Sequence, residues 1–163
     1  QHANAPYASR IVFPITDISG RIVGFNGRHT SGGVPKYMIS PPGAKLPLFP
    51  AVMPIRSTVI LVEGIFDMLN LHDKGLTNAV CCFGTKNVSE DKLRILKISG
   101  VTKIDIFFDG DEPGQKAAEV VKKLCVDADL VTRNIHIRDK DPGSLTPLHI
   151  ENLSKKLYGK DHA

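Results

Sequence analysis

No apolar stretch in these 163 residues approaches the roughly 20 that a membrane-spanning helix requires, and no signal peptide opens the chain. Neither a membrane-embedded nor an exported protein is expected, and no membrane partner. Cysteine is scarce: Cys81, Cys82 and Cys125 show neither the spacing of a zinc site nor a disulfide framework. Cys81 and Cys82 fall inside an apolar run, which predicts buried free thiols, and a reducing cytoplasm is the expected compartment. No Walker A loop is present, so a P-loop nucleotide site is ruled out. The chain carries no internal repeat and no low-complexity segment, and it begins on Gln1 rather than Met, which predicts a fragment or a processed product.

Acidic residues are nearly missing from the first third. Residues 1–56 hold six basic side chains (Arg10, Arg21, Arg28, Lys36, Lys45 and Arg56) against the single acid Asp17, whereas residues 57–163 hold 15 basic and 16 acidic ones. A basic segment followed by an acidic one suits a polyanion passing from one to the other. The competing explanation is solvation, the ordinary role of scattered Lys and Arg.

With 42% hydrophobic residues the chain is able to bury a real core. From Arg10 onward short antiparallel strands are expected, with Ile11-Val12-Phe13 and Ile22-Val23-Gly24-Phe25 flanking the turn signal Asp17-Ile18-Ser19-Gly20. After Ser57 apolar runs alternate with helical patterns, the rhythm of a parallel sheet. Strands are expected near 58–62, 78–82, 103–108 and 131–137, and helices near 66–74, 89–98, 113–125 and 148–158. Ser89 fits an N-cap, and Gly75 and Gly100 fit helix stops. The fold class is α/β: a central parallel sheet of about four strands flanked by helices, with an N-terminal antiparallel β extension. The expected divisions are 1–56, 57–145 and 146–163.

Two acidic clusters stand where strands end. Glu63-Gly64-Ile65-Phe66-Asp67 follows the apolar run Thr58–Val62, and Asp109-Gly110-Asp111-Glu112-Pro113-Gly114 follows Ile104–Phe108. Ligands of open α/β sheets gather outside the carboxyl ends of the strands. Carboxylates brought together there repel one another unless a cation lies between them, and hard oxygen donors that leave room for phosphates suit Mg²⁺. Asp109 and Asp111, at i and i+2, are able to aim at one cation, with Gly110 and Gly114 expected to relieve backbone strain and Pro113 to open a helix. Each acid also has a plain alternative: a helix-capping role for Glu63, a dipole-stabilising one for Asp67, a solvated turn for the Asp109–Asp111 pair. An EF-hand is excluded because Val120 holds the twelfth loop position, and a haloacid-dehalogenase phosphatase because Pro113 stands where Thr or Val belongs.

The series EGIFD, then Phe83-Gly84-Thr85, then FDGDEPG resembles the toprim domain in order and spacing. That metal-binding module is shared by bacterial-type primases, type IA and II topoisomerases and certain nucleases. RIVFPITDISGRIVGFNGR (Arg10–Arg28) followed by PKYMISP (Pro35–Pro41) is similar to the stretch ahead of toprim in bacterial DNA primases, so the resemblance runs from about Arg10 to Leu157.

The resemblance implies a toprim fold and template-directed ribonucleotide transfer, in which the 3′-hydroxyl of a growing RNA attacks the α-phosphate of an incoming nucleoside triphosphate. It implies Glu63, Asp109 and Asp111 as catalytic residues and, with Asp67 and Asp141, as ligands of Mg²⁺ or Mn²⁺. Asp141 matches the first acid of an Asp-Pro-Asp element whose second acid is Gly143 here, and Glu112 stands where many bacterial primases carry a basic residue. Arg10, Arg28 and Lys36 match basic positions along the template or nucleotide path, and Lys45 remains from a denser basic pair; Arg10 equally suits an edge-strand charge. Tyr37 fits either base stacking or packing. The implied partners are single-stranded DNA, ribonucleoside triphosphates, the RNA primer and, through regions outside this chain, the replicative helicase. A toprim nuclease or a noncatalytic nucleic-acid-binding toprim module are the alternatives. A type IA topoisomerase fits less well, since its tyrosine nucleophile lies in a domain with no counterpart here.

Overall fold

A computed structural model of the chain describes residues 7–52 and 56–159. The chain divides into two compact units, with the boundary between Val52 and Met53.

The first unit is a three-stranded antiparallel sheet in the order β1-β2-β3: β1 (Arg10–Thr16), β2 (Ile22–His29) and β3 (Tyr37–Ser40). The expected hairpin forms, and Asp17 makes it. Its carboxylate accepts the backbone N–H groups of Ser19 and Arg21 at 2.8 and 3.1 Å and the Arg21 guanidinium at 2.9 and 3.0 Å. This is the side-chain turn that Asp offers in place of a backbone one. The pairing shifts register between Ile15 and Thr16. Ile15, Leu46 and Leu48 supply the buried apolar groups of this unit.

The second unit is a four-stranded, wholly parallel sheet in the order β5-β4-β6-β7. Its elements alternate along the chain: β4 (Thr58–Val62), α1 (Ile65–Asp73), β5 (Ala79–Cys81), α2 (Glu90–Ile98), β6 (Lys103–Ile106), α3 (Glu112–Asp127), β7 (Val131–Asn134) and α4 (Pro147–Tyr158). The α/β expectation and all four strands and helices are borne out. Val59–Val62, Ile104, Ile106, Phe107 and Phe108 are fully buried, each worth about 2 kcal/mol of apolar transfer. β7 ends at Asn134 rather than near 137 because the following residues leave the sheet to wrap the loop after β6: Gly110 N–H donates to Lys140 O at 3.1 Å. Ser89 occupies the N-cap of α2 without a capping side-chain bond, and Gly75 and Gly100 follow α1 and α2 at positive φ. The three cysteines are free and buried. Among the described residues no helix is long and apolar enough to cross a membrane.

One buried charge governs the middle of the sheet. Asp105 in β6 is 0% exposed. Arg133 of β7 grips it bidentately at 2.8 and 2.6 Å, the Tyr158 hydroxyl donates to it at 3.0 Å, and Lys103 Nζ lies 3.4 Å away. Asn78 donates to the same hydroxyl at 3.4 Å. A buried carboxylate is tolerated only with such partners, and here they tie the last turn of α4 to the sheet.

Candidate active site

The site follows from strand order. β4 and β6 are adjacent in the sheet, with Leu61 opposite Ile106, yet the chain leaves β4 toward β5 and leaves β6 toward β7. Their carboxyl ends therefore flank a topological switch point, where open α/β sheets leave a crevice. Glu63 is the first residue beyond β4, and Asp109 the third beyond β6.

Each of these acids feels the charge of others. Burial raises the pKa of Glu63, and the charges of Asp109 and Asp111 raise it further. Asp67, in the first turn of α1, is pushed up to about 6, mainly by burial and then by Asp109 and Asp141, against the lowering effect of backbone N–H groups from Gly64 and Gly143. Asp109 is the member common to both groups. Among the described residues no three acidic, histidine or cysteine side chains close into a metal cage. Carboxylates that feel one another without forming a cage fit Mg²⁺, which keeps several waters and takes one or two protein carboxylates beside substrate phosphates. The donor set is hard oxygen throughout, so the residues present fit a divalent cation.

Two of the five acids, Asp111 and Asp67, also have structural work. Asp111 is the N-cap of α3, its Oδ1 accepting from Gly114 N–H at 2.8 Å, with Pro113 in the first turn as expected. Capping engages one of its two carboxylate oxygens. Asp67 Oδ2 accepts from Gly64 N–H at 3.0 Å, so it caps the start of α1, the structural role weighed above for Glu63. Asp141 is the N-cap residue of a short 3-10 turn, Pro142–Ser144, which α1 holds through Asn70, donating to Pro142 O at 2.8 Å and Leu145 O at 3.1 Å.

The glycines of the acidic loop work differently from expectation. Gly110 and Gly114 both have φ outside the left-handed region, so strain is not what they relieve. A Cβ on Gly110 would strike Ile137 O, and one on Gly114 would strike Asp109 O; the absent side chains allow close backbone approach. Left-handed backbone occurs instead in the turn after β5, at Phe83 (φ 54°) and Gly84 (φ 98°), and at Asp139 (φ 55°) in the segment against Gly110. Gly84 N–H donates to Glu63 O at 3.2 Å, which joins that turn to the end of β4. Lys92 braces the same turn from α2, donating to Asn87 O at 2.7 Å, and burial lowers its pKa. Burial pushes the Cys82 and Cys125 thiols up to about 12 and Cys81 higher still, so all three stay protonated and serve as packing groups.

The candidate basic residues lie in the first unit. Arg10 opens β1 opposite His29 and donates to Gly27 O at 3.3 Å. Arg28 sits within β2, opposite Tyr37; its guanidinium lies 4.8 Å from the ring centroid and donates to the Tyr37 hydroxyl at 2.6 Å. Lys36 Nζ lies 5.9 Å from the same ring, so Tyr37 is already engaged by two cations. Lys45 is exposed.

Residues that sequence reasoning passed over surround the Asp109–Asp111 loop. Gln115 Nε2 donates to Asp109 O, Asn134 Nδ2 donates to Gln115 Oε1, both at 3.0 Å, and His136 Nε2 lies 3.3 Å from Gly110 O. Gln115 is 6 residues from Asp109, but Asn134 is 19 from Gln115 and His136 is 26 from Gly110, and no local pattern announces those two.

Residues 57–136 match the Toprim domain family, and residues 1–45 match the family described as the DNA primase catalytic core, N-terminal domain. The chain is 33% identical over 145 residues to a DNA primase of Clostridium acetobutylicum, covering 83% of this chain and 24% of that protein. The Aquifex aeolicus primase, in a structure of its zinc-binding and RNA polymerase domains, aligns with a TM-score of 0.73 at 28% identity, covering 94% of this chain and 38% of that one. A DNA primase domain from Pseudomonas aeruginosa aligns with a TM-score of 0.70 at 27% identity, covering 96% of this chain and 49% of that one. The chain thus spans about a quarter of the length of the C. acetobutylicum relative.

Proposed function

We propose that this chain, which belongs to the bacterial-type DNA primases as a toprim-bearing part of the catalytic core, performs the nucleotidyl-transfer step of primer synthesis on single-stranded DNA. This reading rests on the position of Glu63 and of the Asp109–Asp111 loop at the ends of β4 and β6, where the charges of Asp109 and Asp111 add to burial in raising the pKa of Glu63. Residues 1–56 are the primase-type β extension, 57–145 the toprim domain, and 146–163 its C-terminal helix and tail.

Glu63, Asp109 and Asp111 hold Mg²⁺ or Mn²⁺, with Asp67 and Asp141 around them. The bound cation supplies positive charge for the attacking and leaving oxygens of phosphoryl transfer. Glu63, half-buried and made more basic by its neighbours, accepts the proton of the primer 3′-hydroxyl. Asp111 fixes the start of α3 while presenting its second oxygen, and Asp67, gripped by the amides of Gly64 and Gly143, holds α1 against the 141–145 turn. Arg10, Arg28, Lys36 and Lys45 neutralise template or triphosphate charge. The substrates are ribonucleoside triphosphates and the product an RNA primer, made in the cytoplasm beside a helicase that binds regions outside this chain.

The test is an assay of the full reading frame around this chain with single-stranded template, ribonucleoside triphosphates and Mg²⁺. Labelled oligoribonucleotides, lost in Asp109→Ala, are the expected product. Cleaved DNA would instead mean the nuclease, and retention without chemistry a binding module.

A further inference from the structure

We infer that Gln115 and Asn134 form a hydrogen-bond relay that positions Asp109, and that this relay sets the divalent-cation affinity of the site. The inference rests on the assignment of Asp109 as a metal ligand made above. Asp109 O is a carbonyl and only accepts, so Gln115 must turn its NH₂ toward it, at 3.0 Å. Its Oε1 then faces Asn134, which must donate, also at 3.0 Å. Every orientation in the relay is fixed by that first acceptor. Asn134 Oδ1 is left buried without a hydrogen-bond partner. Buried polar atoms are nearly always satisfied, so an orphaned oxygen is accepted here for the sake of the donor on the other arm of the same amide.

The relay completes a three-sided grip on the acidic loop. α3 holds Asp109 O through Gln115, with Gly114 passing close beneath it. From the other side Lys140 O takes Gly110 N–H at 3.1 Å, and His136 lies 3.3 Å from Gly110 O. The peptide planes on both sides of Gly110 are thereby pinned, and they set where the Asp109 and Asp111 side chains emerge. Gln115 and Asn134 touch neither substrate nor metal; they are positioning residues.

Two substitutions test this in the 163-residue chain, read by Mn²⁺ titration with paramagnetic resonance and by thermal melting. Gln115→Met keeps length and loses both hydrogen bonds. Asn134→Asp, measured at pH 8, accepts where Asn134 donated and so turns the Gln115 carbonyl against Asp109 O. Partners of metal ligands typically contribute 10- to 100-fold in affinity, and both variants should weaken Mn²⁺ binding roughly 10-fold while remaining folded. Charge alone predicts the opposite for Asn134→Asp, since an added carboxylate tightens cation binding. Unchanged or tighter binding in either variant, with Asp109→Ala still abolishing it, overturns the relay. If Asp109→Ala leaves Mn²⁺ affinity unchanged, the metal assignment itself fails and the relay falls with it.

Discussion

Gly143 lies so close to Asp67 that a Cβ added to it would stand 2.6 Å from Asp67 Oδ1 and 3.2 Å from Asp141 Oδ1. With Asp67 so placed, a side chain at position 143 forces the Asp67 carboxylate to shift away from Gly64. Gly143→Ala should destabilise the chain by about 1–3 kcal/mol through overpacking. Paired with Asp67→Ala, much of that loss should disappear, and a double-mutant cycle by urea unfolding measures the coupling. Additive losses would mean that the two residues do not compete for this space.

The two aspartates of the acidic loop should part company when no metal is present. Asp111→Ala loses the cap of α3, a loss of about 1 kcal/mol that relief of repulsion on Glu63 only partly offsets. Asp109→Ala removes a charge felt by both Glu63 and Asp67 and should leave stability unchanged or raised. Urea unfolding in EDTA distinguishes them, and a larger loss for Asp109→Ala would contradict this division of roles.

Arg133→Met leaves the fully buried Asp105 carboxylate with only Tyr158 and Lys103 and should cost about 3 kcal/mol, whereas replacing Asp105 and Arg133 together by apolar residues should cost far less. The same cluster predicts an alkaline effect. Burial first, and Asp105 beside it, push the Tyr158 hydroxyl up to about 12 from 10.0. The folded state thus keeps a proton that the unfolded chain releases, so stability from this group is complete below pH 10 and declines as pH rises toward 12. Tyr158→Phe should lack that part of the decline, measured as the difference between the two proteins' unfolding curves across that range.

For the basic first unit, replacing Arg10, Arg28 and Lys36 together should flatten the log–log salt dependence of single-stranded DNA binding by roughly two units, at about 0.7 per phosphate. Replacing Lys122, Lys123 and Lys155 should change it far less; Lys122 and Lys155 already lie beside Glu119 and Glu151 on their own helices. Low-salt fluorescence anisotropy provides the readout, and equal loss of slope in both triple variants would mean a diffuse charge cloud rather than a track.

The sheet was legible because buried parallel strands are short apolar runs, and those from Thr58, Ala79, Lys103 and Val131 stand between Gly-bounded helical patterns. Glu63 and Asp109 were legible because strand ends locate crevices without knowledge of side-chain geometry. What remained hidden depends on contacts distant in sequence. Asp105 differed from its apolar neighbours, a sign that a buried charge needs a partner, yet Arg133 and Tyr158 are 28 and 53 residues away. β3 was not placed, because Tyr37–Ser40 is too short to show a period by itself and gains its strand form from pairing with β2. Gly110 and Gly114 suggested strained turns, but what they accommodate are the carbonyls of Ile137 and Asp109, which only the folded chain brings near.

On the function proposed above, the acids at the β4–β6 switch point converge on one divalent-cation site. Isothermal titration of Mn²⁺ into the wild-type chain and into Glu63→Gln and Asp109→Asn, near-isosteric changes that remove one charge each, tests it directly. Saturable binding in the wild type, weakened in Glu63→Gln and lost in Asp109→Asn, the residue felt by both Glu63 and Asp67, is the predicted result. Equal Mn²⁺ affinity in all three proteins would contradict it.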